Sequence, residues 1–344
     1  MKKLETRSPT IREVAKVAGV GVMTVSRVVN NHPSVRTSTR KRVEAAIVQL
    51  GYRQNEAARL LKGGRARIIG LIVPDLSDAF FASCAHTVQH LARASGYMTL
   101  VASSERDEEL EVQEAELMAS RQISGLLIVT SVHNGSERLR ALQSPDFPIV
   151  GFDRPIPGLE TDAVLVENRS GAEGAVRHLV EHGHKRIACV GYDSNVYTVS
   201  ERVLGYLDEM RSAGLEAELS MDMVSMEDVR QWVASTMAKP DRPTAIFSLN
   251  HRTSSFLLQA LSDKRVKIPD EIAMVGFDDF ELASVVTPGL TTVSQSPVDL
   301  ARRAMTLLIE RIRRAKDAVQ EPAAKIMLPT RLVIRGSCGV HPVA

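Results

Sequence analysis

The sequence contains few cysteines and few aromatic residues, and it has no long apolar run. Its three cysteines, Cys84, Cys189 and Cys338, lie far apart and form no CxxC pair, which argues against a disulfide framework. No apolar stretch approaches the roughly 18 residues of a membrane helix, and no apolar signal region follows the basic N-terminus. We therefore expect a cytoplasmic protein with reduced thiols and no membrane partner.

Motifs of the common enzyme classes are also missing. There is no GxxxxGK[ST] phosphate loop, no HExxH and no GxSxG, and the lone GxG at residues 19–21 does not follow a strand pattern. His178, His182 and His184 are close in sequence, but no carboxylate or cysteine stands at ligand spacing, so histidines at the surface or at a helix cap are favoured. We expect no catalytic residue, no cofactor and no metal site.

Charge is unevenly distributed along the chain. Residues 1–67 contain 15 Lys and Arg against four Asp and Glu, a net charge of +11. The remaining residues contain 28 basic and 37 acidic side chains, a net charge of −9. This asymmetry predicts that the N-terminal part meets a polyanion, and a solvated basic face is the alternative interpretation.

The basic segment contains three short helical patterns. Thr10 and Glu13 predict a capping box at the start of the first helix. A turn with two glycines separates it from a second helix, Val22 to Asn30, and a third pattern covers residues 37–50. Two short helices joined by such a turn form the helix-turn-helix, whose second helix enters the major groove of DNA.

A family resemblance covers this whole segment. The residues TIREVAKVAGVGVMTVSRVVNNHPSVRTSTRKRVEAAIVQLGYRQNEAARLL resemble the DNA-binding head of the lactose-repressor (LacI) family. Gly21 stands where the family usually has a capping Ser, and Gln54 where Pro is common. The resemblance implies double-stranded DNA as partner and these contact residues: Thr10, Val22, Met23, Thr24, Ser26, Arg27, Asn30, Thr39, Tyr52, Asn55, Ala58 and Leu61.

The implied contacts differ in what they would read. Val22 and Met23 are apolar, so they would recognise thymine methyl groups and groove shape, whereas Arg27 would contact either a guanine or a phosphate. The composition of residues 55–61 predicts a helix that is too short to be stable alone, and the resemblance implies that it folds on operator DNA. Leu61 aligns with a leucine that wedges between base pairs, with packing on the next domain as the alternative.

The remainder of the chain alternates apolar runs with amphipathic helices, in two series of similar size. This pattern predicts an α/β fold in which two subdomains of doubly wound parallel sheets enclose a cleft. The motifs IGLIVPDLSDAFF, PIVGFDR and IPDEIAMVGFDD resemble the periplasmic-binding-protein-like core of the same family. The expected division is a helix-turn-helix domain at 1–54, a hinge helix and linker at 55–66, and an effector-binding core at 67–344. In that core we expect an N-subdomain at about 67–165 and 296–325, and a C-subdomain at about 166–295 and 326–344.

The same resemblance implies an effector site in the cleft. Its residues would be Asp75, Ser77, Phe80, Phe81, Thr130 (or Ser131), Asp153, Arg154, Arg202, Asn250, Asp278 and Gln295. Carboxylates and guanidinium groups suit hydroxyl recognition because their hydrogen bonds are charge-assisted. His251 replaces an Asp that is usual in the family, which shifts the expectation towards a sugar acid rather than a neutral sugar.

Together these features predict a homodimeric transcription regulator, expected to be a repressor of a carbohydrate or sugar-acid catabolic operon. Its partners would be a pseudo-palindromic operator and a small-molecule effector that either releases DNA or promotes its binding. Two alternatives share the scaffold. A transport solute-binding protein would need an export signal and no basic head, and a sugar-metabolising enzyme is possible because fold alone does not define function.

Overall fold

The computed structural model describes residues 9–29, 32, 34–52, 65–314 and 322–339. The chain divides into two compact units, Met1–Ala66 and Arg67–Ala344. Among the described residues, no helix has both the length and the apolar composition that a membrane span requires. The smaller unit is called the head below, and the larger unit the core.

In the residues that the structure describes, the head has three helices, α1 (Ile11–Ala18), α2 (Val22–Val29) and α3 (Thr37–Leu50). The predicted capping box of α1 is confirmed: Glu13 N donates to Thr10 Oγ1 over 3.4 Å, and Thr10 N donates to Glu13 Oε2 over 2.6 Å. Helices α1 and α3 each end at a glycine in the left-handed conformation, which a residue with a Cβ adopts less easily. The helices bury a small apolar cluster: Val14, Ala15, Ala18, Val25, Val28, Val43 and Ala46.

The described part of the core contains two six-stranded sheets. The strands of the first sheet are β1 (Ala66–Val73), β2 (Met98–Ser103), β3 (Ile123–Ile128), β4 (Ile149–Phe152), β5 (Asp162–Val166) and β11 (Lys325–Leu328). Their order across the sheet is β11-β5-β4-β3-β1-β2. Strands β11, β5, β4 and β3 run parallel to one another, as do β1 and β2. The accompanying helices are α4 (Ala79–Ala94), α5 (Glu108–Ser120), α6 (Glu137–Leu142) and α12 (Pro297–Arg314).

The strands of the second sheet are β6 (Ile187–Val190), β7 (Glu218–Ser220), β8 (Ala245–Ser248), β9 (Ala273–Phe277), β10 (Thr291–Ser294) and β12 (Arg331–Val333). Their order across the sheet is β12-β10-β9-β8-β6-β7, and in the described residues only the pairing of β10 with β12 is antiparallel. The accompanying helices are α7 (Asn168–Glu181), α8 (Tyr197–Ser212), α9 (Met226–Met237), α10 (His251–Asp263) and α11 (Glu281–Val285).

Two details of the core differ from the expectation. The expected subdomain boundary at residues 325 and 326 falls inside β11, all four residues of which pair with β5 in the first sheet. The chain therefore passes to the second sheet between β11 and β12. In addition, the apolar segment MDMVS at residues 221–225 predicts a strand, whereas β7 lies just ahead of it at residues 218–220. The apolar runs of β3, β4, β5, β6, β8 and β9 are buried at every residue, as expected for parallel strands that are covered on both faces.

Candidate nucleic-acid interface and effector cleft

Helix α2 presents two large apolar side chains to solvent at its first turn. Val22 is 42% exposed and Met23 is 70% exposed, whereas Val25 and Val28 of the same helix are buried. Gly21 precedes the helix, and its carbonyl accepts the first helical hydrogen bonds from residues 24 and 25. Exposed apolar residues at the start of a recognition helix suit contacts with base edges in the major groove.

The other predicted DNA contacts in the head vary in exposure. Arg27 is exposed, and Thr24, Ser26, Thr39 and Tyr52 are half-buried. Tyr52 packs against the apolar cluster of the head, and burial raises the pKa of its phenol. Thr10 is engaged in the α1 capping box, with its hydroxyl donating to Glu13 Oε2 over 2.9 Å. Four further predicted contacts lie outside the described residues: Asn30, Asn55, Ala58 and Leu61.

The described part of the head also exposes a set of basic side chains. They come from all three helices and the turn before α3: Arg12, Lys16, Arg27, Arg36, Lys41 and Arg42. Glu13 is one of two acidic residues in the three helices and is used in a cap. An excess of exposed positive charge supplies the sequence-independent attraction to phosphates that DNA-binding domains need.

The core contains a cleft lined by residues that follow strands of both sheets. It encloses about 580 Å³ of space without protein atoms, part of it open to solvent. Eight of the predicted effector residues line it: Phe80, Phe81, Asp153, Arg154, Arg202, Asn250, Asp278 and Gln295. The carboxyl ends of parallel strands meet there, as expected for ligand sites in open α/β sheets.

Two aspartates occupy equivalent places in the two sheets. Asp153 follows β4 and Asp278 follows β9, each as the last residue of a VGFD sequence. Both have a positive φ, 65° and 71°, in the left-handed region that is unfavourable for most non-glycine residues. Such backbone strain typically costs about 1–3 kcal/mol and concentrates at functional sites. Here it accompanies two carboxylates that both line the cleft.

Asp278 is the centre of a polar network in the second subdomain. Arg202 Nη1 donates to Asp278 Oδ2 over 3.2 Å, and Gln295 Nε2 donates to Asp278 Oδ1 over 2.6 Å. Burial raises the pKa of Asp278, but the charge of Arg202 and the contacts with His251 and Gln295 outweigh that effect, and the pKa falls to about 2. Asp278 is therefore an ionised acceptor at neutral pH.

Arg202 uses most of its donors within the protein. Its Nε donates to Asn168 Oδ1 over 2.8 Å and its Nη1 donates to the Leu249 carbonyl over 2.7 Å. The guanidinium carbon also lies 3.7 Å from the ring centroid of Phe277, a cation–π geometry. The resemblance implied that Arg202 contacts the effector, and these contacts show that it also holds Asp278 in place.

In the first subdomain, Arg154 and Asp153 form a charged pair that has fewer hydrogen bonds than the network around Asp278. Arg154 Nη1 donates to the Thr130 carbonyl over 3.1 Å. Its Nε lies 3.4 Å from Asp153 Oδ2 but without hydrogen-bond geometry. Burial raises the pKa of Asp153 and lowers that of Arg154, and the opposite charge of each partner counters the effect. Among the described residues, Arg154 Nε and Gln295 Oε1 are buried without a hydrogen-bond partner.

Three predicted effector residues do not line the described cleft. Asp75 and Ser77 form a local turn, in which Asp75 Oδ1 accepts from Ser77 N over 2.8 Å and from Ser77 Oγ over 2.6 Å. Thr130 Oγ1 donates to the buried Glu111 Oε1 over 2.6 Å, so its hydroxyl supports the end of β3. The lining carboxylate of this region is instead Asp78, which caps α4 by accepting from Phe80 N over 2.9 Å.

Two contacts join the subdomains across the cleft. His251 lies between Asp78 of the first subdomain (Nε2 to Oδ1, 3.7 Å) and Asp278 of the second (Nδ1 to Oδ2, 3.8 Å). The contact with the Asp278 carboxylate raises the pKa of His251 against the effect of burial. Arg106 Nη1 donates to Tyr192 OH over 3.3 Å at the mouth. The sequence pointed to His251 only as a departure from a family pattern.

Apart from His251, which begins α10, the lining residues outside the predicted set had no sequence signal of their own. They lie in loops or on α8, where local pattern does not distinguish a cleft from open surface. The lining residues absent from the predicted set are Asp78, Arg106, Tyr192, Asp193, Val196, Thr198, Val199 and His251.

Comparisons with known proteins match both units of this architecture. Residues 10–55 match the family of bacterial regulatory proteins named after lacI, and residues 176–338 match the periplasmic binding protein-like domain. The HTH-type transcriptional regulator DegA of Bacillus subtilis is 31% identical over 334 residues, 95% of this chain and 97% of the relative. The HTH-type transcriptional repressor PurR of Mannheimia succiniciproducens is 31% identical over 331 residues, 95% of this chain and 98% of the relative.

A solved structure extends the likeness to three dimensions. The complex of the transcriptional regulator CelR with cellobiose has a TM-score of 0.70 and 26% identity, and covers 96% of this chain and 99% of that one. Fold, head and relatives define a DNA-binding transcription regulator and not an enzyme. The chain belongs to the lacI family of bacterial regulatory proteins.

Proposed function

We propose that this regulator is a homodimeric repressor of a carbohydrate or sugar-acid catabolic operon, and that a hydroxylated effector in the cleft controls its affinity for a pseudo-palindromic operator. The relative PurR is named a repressor, and the relative CelR is described with cellobiose, which supports both parts of the proposal. A two-fold symmetric dimer matches a two-fold symmetric operator.

The proposed ligand class rests on two buried side-chain atoms of the cleft that have no hydrogen-bond partner. Arg154 Nε is a donor and Gln295 Oε1 is an acceptor. Leaving such a group buried and unpaired costs about 1–3 kcal/mol, so a ligand that pairs it gains that free energy. A sugar hydroxyl both donates and accepts, which suits this combination. Asp153 offers further acceptors, and the ring of Phe80 offers an apolar surface.

The cleft also suits an effector that acts on DNA binding. Asp153 and Arg154 belong to the first subdomain, whereas Arg202 and Asp278 belong to the second. A ligand that bonds both sides favours one relative arrangement of the subdomains, and differential affinity for two arrangements is what shifts their populations. Ligand and operator affinities are then coupled, and the coupling is reciprocal.

The test begins with thermal unfolding of the full chain in the presence of neutral sugars and the corresponding sugar acids. A specific ligand at one hundred times its Kd stabilises the native state by about 2.7 kcal/mol. Operator affinity is then measured by fluorescence anisotropy with and without that ligand. We expect a changed operator affinity, whose direction distinguishes induction from co-repression.

A matched pair of variants ties the effect to the cleft. Arg154→Lys keeps the charge but removes the Nε donor, so it should abolish ligand stabilisation. Arg138→Lys alters an exposed arginine that pairs with Glu109 and Glu116 on the core surface, so it should respond like wild type. An unchanged response in Arg154→Lys would reject the site. Binding of neutral sugars alone would reject the sugar-acid form of the proposal.

The DNA partner is tested separately by salt. Operator affinity should fall steeply between low and physiological ionic strength, because basic side chains of the head release counterions from phosphates. A flat plot of log affinity against log salt concentration would contradict phosphate contacts by the head. Leu61, which lies outside the described residues, stays the predicted minor-groove wedge.

A further inference from the structure

A second group of ligating side chains lies in the second subdomain, apart from the residues that line the effector cleft. His178 is in the last turn of α7, His182 is its C-cap, and Cys338 lies 160 residues further along the chain from His178. One ligand atom from each of the three lies within 4.8 Å of the others. His178 and Cys338 are buried, and His182 is half-buried. The sequence predicted no metal here because no cysteine stands near these histidines along the chain.

The hydrogen bonds of the cluster orient His182 as a ligand and hold His178 next to the cysteine. His182 Nδ1 lies 2.7 Å from the His178 carbonyl, which can only accept, so this nitrogen carries the proton. In a neutral ring, Nε2 of His182 then has the free lone pair. A ligating histidine typically donates its other ring N–H to a carbonyl or carboxylate in this way. His178 Nε2 lies 3.0 Å from Cys338 Sγ, so imidazole and sulfur already share one proton.

We propose that His178, His182 and Cys338 form a binding site for Zn²⁺, with water in the fourth position. One thiolate and two imidazoles match the donors that zinc prefers, and three protein ligands with an open position form a tetrahedral site. At typical Zn–N and Zn–S bond lengths, ligand atoms in such a site are roughly 3.3–3.8 Å apart. The widest separation in the cluster must therefore decrease by about 1.0–1.5 Å, which side-chain rotation of the half-buried His182 can supply. His178 Nε2 and Cys338 Sγ, which lie 3.0 Å apart, must instead separate by roughly 0.5 Å.

Metal binding exchanges a proton for a cation and involves no redox step. The Cys338 thiol releases its proton to solvent, and the thiolate sulfur then donates an electron pair to the metal. Cys338 follows β12 and contacts Thr291 Oγ1 of β10 over 3.2 Å. The bound metal would consequently fasten the segment after β12 to helix α7, so it should stabilise the second subdomain.

The test is a titration of the full-length, reduced protein with Co²⁺, a spectroscopic substitute for Zn²⁺. We expect one equivalent to produce a thiolate-to-cobalt charge-transfer band in the near ultraviolet and the intense visible bands of four-coordinate Co²⁺. Cys338→Ser should remove the charge-transfer band. His182→Gln should weaken Co²⁺ affinity by at least about tenfold, since it deletes one of three protein ligands. Added Zn²⁺ should displace Co²⁺ and raise the Tm of the wild-type protein only.

A matched control uses a second histidine pair with the same spacing. His86 and His90 stand four residues apart on α4 and are exposed. Among the described residues, they belong to no cluster of potential metal ligands that includes a cysteine. Replacing both by Gln should leave the cobalt spectrum unchanged. The proposal is wrong if the wild-type protein shows no charge-transfer band, or if that band persists in Cys338→Ser. Should Cys338→Ser fail to fold, equal affinity of wild type and His182→Gln would overturn the proposal equally well.

Discussion

The head and the core place their predicted binding residues in opposite environments. Val22, Met23 and Arg27 of the head are exposed, and the apolar cluster beneath them is built from other residues. In the core, Arg202 and Asp278 are buried and bonded to each other. At these positions of α2, predicted recognition is separable from the stability of the head, whereas the predicted effector residues Arg202 and Asp278 also support the fold of the core.

The physical reason lies in the two kinds of ligand. DNA is large and highly charged, so a protruding basic surface is sufficient to attract it, and its grooves accept side chains from outside. A small hydroxylated effector must be surrounded, which requires its polar partners to be buried. Buried polar groups must in turn be paired or hydrogen-bonded, so the cleft residues support one another before any ligand arrives.

The largest expected effect on the free energy of unfolding comes from removing the buried Arg202 of the core, and the exposed Arg27 of the head provides the comparison. Arg202→Ala leaves Asp278 as a buried carboxylate without its main partner, which typically costs about 3–5 kcal/mol. Urea unfolding followed by the fluorescence of Trp232, the single tryptophan, reports on the core. Arg27→Ala, at an exposed position, should change stability by no more than about 0.5 kcal/mol but reduce operator affinity.

The contrast between the two units would be wrong if Arg202→Ala had a small effect on stability and Arg27→Ala a large one. A mild effect of Arg202→Ala on the free energy of unfolding would mean that the bonds of Arg202 to Asn168, Leu249 and Asp278 contribute little. A large effect of Arg27→Ala on the hydrogen-exchange protection of Val14, Val25 and Val43 would mean that the head surface also supports its fold.

An intermediate effect is expected from acid. The folded-state pKa of Asp278, about 2, is below its ordinary value of 3.8, so ionised Asp278 stabilises the fold above about pH 4. That contribution, about 2 kcal/mol, should be lost as the pH falls from about 4 through 2. The measurement is the difference in urea-unfolding free energy between wild type and Asp278→Asn across this range. A difference that does not decrease on acidification would show that the network of Asp278 does not favour its ionised form.

The smallest expected effect concerns the stability of the head. Replacing Val22 and Met23 together by Ser should change the free energy of unfolding by only about 0.5 kcal/mol, since both side chains are exposed. Val25→Ala, the buried control in the same helix, should cost roughly 2 kcal/mol. Binding-site selection on random DNA should return a different half-site for the double variant. An unchanged consensus would contradict the assignment of these two residues to base recognition.

Much of the head follows from short-range rules. The capping box of Thr10 and Glu13 was predicted from a spacing of three residues, and the structure contains it. The family resemblance, and not the helical period, placed Val22 at the exposed start of α2, since Val22 and the buried Val25 are only three residues apart and by period alone would share one face. In the core, the alternation of apolar runs and helices predicted both sheets, because strands covered on two faces are almost wholly apolar.

Position in a motif was a weaker guide to the cleft. Asp75, Ser77 and Asp78 lie within four residues, and only Asp78 lines the cleft. All three are polar residues after a strand, so composition and spacing do not distinguish them. What separates them is that Asp75 and Ser77 bond each other, whereas Asp78 caps α4 and lies near His251.

By itself, then, the sequence determined the class of fold, the order of the units and the capping box of α1. Each of these is recorded in local patterns, which are a spacing of three residues for the cap and apolar runs of single strands and helices for the fold. Tertiary structure alone decided which distant groups meet: Arg202 with Asp278, Arg106 with Tyr192, and His178 with Cys338. Local propensity and periodicity act over one helical turn or one strand, whereas these pairs form only after strands and helices far apart in the chain pack together.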